Sequence, residues 1–264
     1  MAEQSRSALA PQRLCTGSAA SMLVVDFQPF ATGRRLGELL AGEDLGLAIS
    51  QLEPARDLVG RDYLPLDELA AEYADSFEQM DCAPATTVLG YCSGAVLALR
   101  IAERLAGDRQ VGVVLLRPTW PGPEMIAAML SKVRSELGTP TGPAPELAAE
   151  PDRVLAQIGQ LLHAELRALA ELHGLDPDSG PLFELLDRYR GWFGYLLAAQ
   201  DGLRARRVPE LDLQVLLEES ESAAVPWFEP GSYRCRRLWL AEDDARATEQ
   251  LARALAEQFR RPGG

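Results

Sequence analysis

The stretch VLGYCSGAVLALRIAERLA, residues 88–106, decides how this chain is read. Its first residues, preceded by the β-branched pair Thr86 and Thr87, form a short apolar run of the kind that makes a buried strand. From Gly94 onward the apolar residues recur at helical spacing, and the pattern ends at Gly107. Gly90 and Gly94 bracket Cys92 at the junction. Glycine at these two positions lets a strand and a helix come close around a strained residue. A side chain at the apex of such a turn faces the positive end of the helix dipole, which favours a thiolate. Cys92 is therefore a candidate nucleophile. The alternative is a cysteine kept for packing, since it is a small and readily buried residue.

Composition narrows the function classes. A chain of 264 residues with 47% hydrophobic and 25% charged residues has the profile of a globular protein with a sizeable core. The formal charge of −13 argues against a nucleic-acid partner, whose phosphates such a surface repels. Cys15, Cys82, Cys92 and Cys235 are widely scattered, no CxxC pair occurs, and there are only 2 histidines, so neither a metal site nor another cofactor is expected. Met1–Gln12 lacks the apolar segment of a signal peptide, and no run approaches the roughly 18 apolar residues that span a bilayer. The expectation is a cytoplasmic protein with reduced thiols.

Outward from the quoted stretch, strand and helix signals alternate. MLVVDF (22–27) reads as a buried strand, with a short helix expected around Leu36–Leu40 and an apolar segment at LGLAIS (45–50). PLDELAAEYADSFEQM (65–80) reads as a helix, and VGVVLL (111–116) as a further buried strand. This alternation predicts an α/β fold with a doubly wound, mostly parallel sheet. From Pro121 to Arg207 every periodic segment is helical, after which strand signals return in LDLQVLL (211–217) and CRRLWLA (235–241) and a helix closes the chain at 247–259. The expected organisation is an N-terminal segment over 1–20, a core formed by 21–120 and 208–264, and a helical insertion over 121–207.

This arrangement resembles the α/β-hydrolase thioesterases of non-ribosomal peptide and polyketide assembly lines. The likeness rests on the glycine-bracketed turn at Cys92, the Pro-containing FQPFATG (27–33) after the first strand, the helical insertion after VGVVLLRPTWPG, and a last strand followed by a C-terminal helix. It implies that the insertion is a lid. It also implies that backbone N–H groups of Ser93 and Phe30 form an oxyanion hole, and that the partner is an acyl or peptidyl carrier protein bearing a phosphopantetheine-linked acyl group.

The chain departs from the family at all three catalytic positions. The nucleophile is Cys92 rather than serine. The acid expected after the following strand is replaced by Arg117, in VVLLRPTW, and a guanidinium cannot orient an imidazolium. One strand later Glu218, Glu219 and Glu221 offer carboxylates, although a solvated loop explains them as well. The loop that should hold the histidine reads LWLAEDDARATEQ, with Glu242, Asp243 and Asp244 instead. His163 borders the apolar stripe of an insertion helix, and His173 ends that helix before Gly174, where a cation suits the dipole. A thiolate attacks thioesters unaided, but hydrolysis of an acyl-cysteine needs a base, for which Asp243 at the lost histidine position is the candidate. Acyl transfer or slow hydrolysis is the enzyme reading. A catalytically inactive thioesterase-fold protein that binds a carrier or an acyl chain is the alternative. Arg34–Arg35, Leu203–Arg207 and Arg234–Arg237 are the basic patches an acidic carrier would meet.

Overall fold

The computed structural model describes residues 9–17, 20–27, 34–61, 63–80, 83–107, 109–138, 150–176, 179–203, 211–218, 228, 232–238 and 244–260. The chain divides into two compact units. One comprises Met1–Glu53, Asp67–Thr119 and Arg206–Gly264, and the other Pro54–Leu66 and Trp120–Ala205. The segment 54–66 thus groups with the insertion rather than with the chain on either side of it.

The elements of the first unit are β1 (Gln12–Cys15), β2 (Ser21–Asp26), α1 (Leu36–Ala41), β3 (Ala48–Leu52), α3 (Leu66–Met80, all but its first residue), β4 (Ala85–Tyr91), α4 (Gly94–Leu105), β5 (Gln110–Leu116), β6 (Asp212–Glu218), β7 (Arg234–Leu238) and α8 (Asp244–Arg260). The second unit contains α2 (Pro54–Asp57), α5 (Pro123–Glu136), α6 (Pro151–Leu172) and α7 (Gly180–Leu203).

The seven strands form one sheet in the order β1-β3-β2-β4-β5-β6-β7. Every pairing is parallel except that of β1 with β3. The sheet is therefore mostly parallel, as its strand–helix alternation requires. β1 is an addition to the expected picture. QRLC is too short and too polar to register as a strand, and the open edge of β3 supplies the hydrogen bonds that make it one.

Alternation along the strands assigns the two faces. Met22, Val24, Leu89, Tyr91, Val114 and Leu116 form a core with Leu36 and Leu40 of α1 and with Ala247, Leu251 and Leu255 of α8. Each fully buried Leu or Val in such a core contributes about 1.5–3 kcal/mol. The intervening positions Val25 and Gly90 meet α4 on the opposite face, with Leu115 packed beside Gly90. α4 is apolar nearly all round and buried from Gly94 to Ala102, which suits a helix at the centre of a layered domain. Its buried Arg100 pairs with Glu103 at 2.9 Å and with Asp67 of α3 at 3.6 Å.

In the second unit, α6 turns its apolar stripe (Val154, Leu155, Ile158, Leu162, Leu166) inward. Arg134 of α5 pairs with Glu165 of α6 at 2.6 Å, both largely buried. Gly191 and Gly194 of α7 allow Leu58 and Leu155 to close on that helix.

Candidate active site

β4 ends at Tyr91 and α4 begins at Gly94, so Cys92 stands at the apex of a strand-to-helix turn. Its φ of +53° is left-handed, a conformation that a cysteine adopts only when its surroundings impose it. The bracketing glycines show what imposes it. A Cβ at Gly90 would lie 2.7 Å from Ala98 Cβ and 2.8 Å from Ala95 Cα, and one at Gly94 would lie 2.5 Å from the Val25 carbonyl oxygen. No side chain fits at either position, because strand and helix touch there.

Leu116, at the end of β5, and Thr119, just after it, meet this turn. The Cys92 N–H donates to Leu116 O at 3.0 Å, and the Thr119 N–H donates to Cys92 O at 3.1 Å. The Thr119 hydroxyl lies 3.4 Å from Cys92 Sγ. Between them Arg117 has a φ of +42° and donates its N–H to Leu216 O of β6 at 2.8 Å. Arg117, at the position of the expected acid, thus takes part in a tight turn beside the elbow. Its charge also acts on the Tyr91 phenol.

Tyr91 and Asp26 are register partners on adjacent strands and point to the same face. Burial raises the Tyr91 phenol above its usual range, while a hydrogen bond with Thr248 of α8 and the positive charge of Arg117 oppose the rise. The Asp26 carboxyl is pushed up to about 6 by burial. The Leu36 N–H, donating to Oδ2 at 3.2 Å, and the charge of Arg35 hold it down, and Glu53 and Glu38 push it further up. Its Oδ1 is buried with no hydrogen-bond partner among the described residues. Asp26 was legible only as one carboxylate inside an otherwise apolar strand. Thr119 carries no local sequence signal.

The other expected site residues are distributed as follows. Ser93 is buried as the residue preceding α4, with αR backbone. Phe30, Glu219, Glu221, Glu242 and Asp243 lie outside the described residues, as does Cys82. Glu218 is the last residue of β6 and Asp244 the first of α8. His163 and His173 belong to the second unit. His163 stacks against Phe183 with ring centroids 6.3 Å apart, and His173 is the C-cap of α6, ahead of Gly174 at φ +65°. Among the described residues no cluster of His, Cys, Asp and Glu has the make-up of a metal site. None of the described helices is long and apolar enough to cross a membrane.

Two of the basic patches are paired. Arg35 bridges Glu53 at 3.1 Å, and Arg234 bridges Asp212 at 2.8 Å. β7 is exposed from Arg234 to Arg237.

No family model matches the chain, and no curated protein matches it. Solved structures do share its fold. One is the four-domain nonribosomal peptide synthetase holo-AB3403 bound to AMP and glycine, at 17% identity and a TM-score of 0.60. That match covers 95% of this chain and 20% of the synthetase, so the chain spans about a fifth of it. A second is the Vlm2 thioesterase domain carrying genetically encoded 2,3-diaminopropionic acid with a bound dodecadepsipeptide, at 15% identity, TM-score 0.58, and coverage of 96% and 99% of the two chains. A third is the NocB thioesterase domain in covalent complex with a fluorophosphonate nocardicin G analogue, at 16% identity, TM-score 0.52, and coverage of 91% and 96%. The chain has the α/β-hydrolase fold and resembles the thioesterase domains of natural-product assembly lines.

Proposed function

We propose that the protein handles acyl groups delivered as thioesters on the phosphopantetheine arm of a carrier protein, with Cys92 as acyl acceptor. The observation that carries this reading is the left-handed Cys92 at the apex of a turn whose two flanking glycines admit no side chain. In the proposed step Cys92 Sγ, as thiolate, adds to the thioester carbonyl. The Ser93 N–H at the start of α4, with that of Phe30, stabilises the oxyanion. Collapse expels the pantetheine thiolate, which takes up a proton from solvent, and leaves an acyl-cysteine. One thioester is exchanged for another, so the step needs no oxidant and no metal. It does need a reduced thiol, as the cytoplasm provides.

Discharge of the acyl-cysteine to water or to a second acceptor needs a base. Asp243 is the candidate at the position where the family carries histidine. The helical segment over 121–207 is the candidate lid. A carrier protein is the partner that the likeness to assembly-line thioesterase domains suggests.

A second reading, a thioesterase-fold protein that binds a carrier without turnover, is favoured by one observation. The hydroxyl of Thr119, 3.4 Å from Cys92 Sγ, is not a base, and no histidine follows His173 in the chain. Intact-mass spectrometry after mixing with acyl-loaded carrier protein separates the two. A stable acyl adduct, absent in Cys92→Ala, supports the first reading. Carrier binding without an adduct supports the second.

A further inference from the structure

We infer that Thr119 is the positioning residue for the Cys92 thiol, set over the sulfur by the segment from Leu116 to Thr119. The inference rests on Cys92 acting as a nucleophile.

Each polar group of Cys92 meets this segment, and its carbonyl also accepts from the Ala95 N–H of α4 at 3.2 Å. Its N–H is bound by Leu116 O, its carbonyl accepts from the Thr119 N–H, and its sulfur meets the Thr119 hydroxyl. Cys92 and Arg117 are the two non-glycine residues with positive φ among the described residues, at +53° and +42°. The strain at Arg117 is compounded by Pro118, because a residue before proline is driven toward extended backbone. Backbone strain of this kind persists only where the surroundings over-determine it. Here Cys92 is held by bonds to Leu116 and Thr119 on either side of Arg117, and Arg117 is anchored by its N–H on Leu216 O of β6.

The bend at Arg117 leads through Pro118 to Thr119, whose hydroxyl lies 3.4 Å from the sulfur. A hydroxyl at 3.4 Å donates to sulfur when the sulfur is charged and accepts from it when it is a thiol, so it serves the group in both states. It takes no proton away and cannot replace a general base. Thr119 therefore orients and steadies the thiolate for attack and leaves the later, base-requiring discharge unassisted.

Iodoacetamide alkylation of Cys92 at neutral pH, followed by peptide mass spectrometry, tests this without any acyl substrate. Thr119→Val keeps the shape and removes the hydroxyl, and Thr119→Ser keeps the hydroxyl and removes the methyl. The expected result is alkylation slowed about fivefold to tenfold in the valine variant. The serine variant should lie within about twofold of the parent, since the hydrogen bond is retained. Equal rates in parent and valine variant, or a serine variant as slow as valine, overturn the inference. Unfolding midpoints are recorded in parallel. If Thr119→Val does not fold, the serine and alanine variants decide on the same criterion. A hydroxyl-dependent rate together with no acyl adduct from carrier-bound thioester would overturn the acyl-acceptor function and leave the role of Thr119 standing.

Discussion

The backbone N–H of Leu36 donates to Oδ2 of Asp26 at 3.2 Å, so a buried carboxyl at the end of β2 closes the first turn of α1. The same carboxyl leaves Oδ1 without a partner among the described residues, and its pKa is raised from 3.8 to about 6 by burial. A carboxyl whose pKa is higher folded than unfolded favours the folded state in its protonated form. That contribution is fully present below about pH 4 and is lost as pH rises through about 6. A shift of this size corresponds to about 3 kcal/mol across that window. Asp26→Asn keeps an acceptor for Leu36 but cannot ionise. Urea unfolding at several pH values should show the variant gaining on the parent between pH 4 and 7. Parallel curves would mean that Asp26 does not titrate in that range.

Alanine at Gly94 or Gly90 should be costly. The added Cβ meets the Val25 backbone in one case and the α4 backbone in the other, neither of which can move without opening the layer. Each substitution should cost about 1–3 kcal/mol, toward the upper end. Gly122, where a Cβ would meet nothing within 4 Å, is the control. Gly122→Ala, at the N-cap of α5, should cost no more than about 1 kcal/mol. If all three variants unfold at the same denaturant concentration, the strand and helix are not in contact at the elbow.

The buried ion pair of Arg134 and Glu165, at 2.6 Å, should behave asymmetrically. Glu165→Ala removes the carboxylate that lies 2.6 Å from the largely buried Arg134 guanidinium and should cost about 3 kcal/mol. Replacing both residues together, Arg134→Met with Glu165→Leu, should recover most of that loss, because no buried charge is left unpaired. A double variant as unstable as the single one would show that packing, not charge, dominates at this position.

Turnover of acyl-pantetheine should be slow, because no histidine follows His173 and the hydroxyl that meets the Cys92 sulfur is not a base. Absence of a general base corresponds to a deficit of about 10²–10⁴-fold against a complete triad. His163→Ala should leave the rate unaltered, since its ring is stacked against Phe183. Rapid release of free acid that disappears in Asp243→Asn would show an acidic base at work. Rapid release lost in His163→Ala would bring the histidine into the site.

The layered architecture was legible from local pattern alone. Apolar runs at MLVVDF, TTVLGY and VGVVLL carry their burial with them, and α4 and α8 declare themselves through three- and four-residue apolar spacing, because burial of a face must be written into every residue that forms it. The elbow was legible for a related reason: two close backbone approaches demand two glycines at fixed distance from Cys92. Other features depend on partners distant in the chain. QRLC becomes a strand only against the free edge of β3. Pro54–Leu66 joins the helical unit because Leu58 and Leu66 pack on Gly191 and Gly202, a contact more than a hundred residues away. Thr119 and Asp26 are ordinary residues in the sequence. Only the hydrogen bonds of the folded chain make one the partner of the Cys92 sulfur, and burial in the folded chain, with Glu53 and Glu38 nearby, lifts the other's carboxyl, since both effects are properties of surroundings assembled from separate segments.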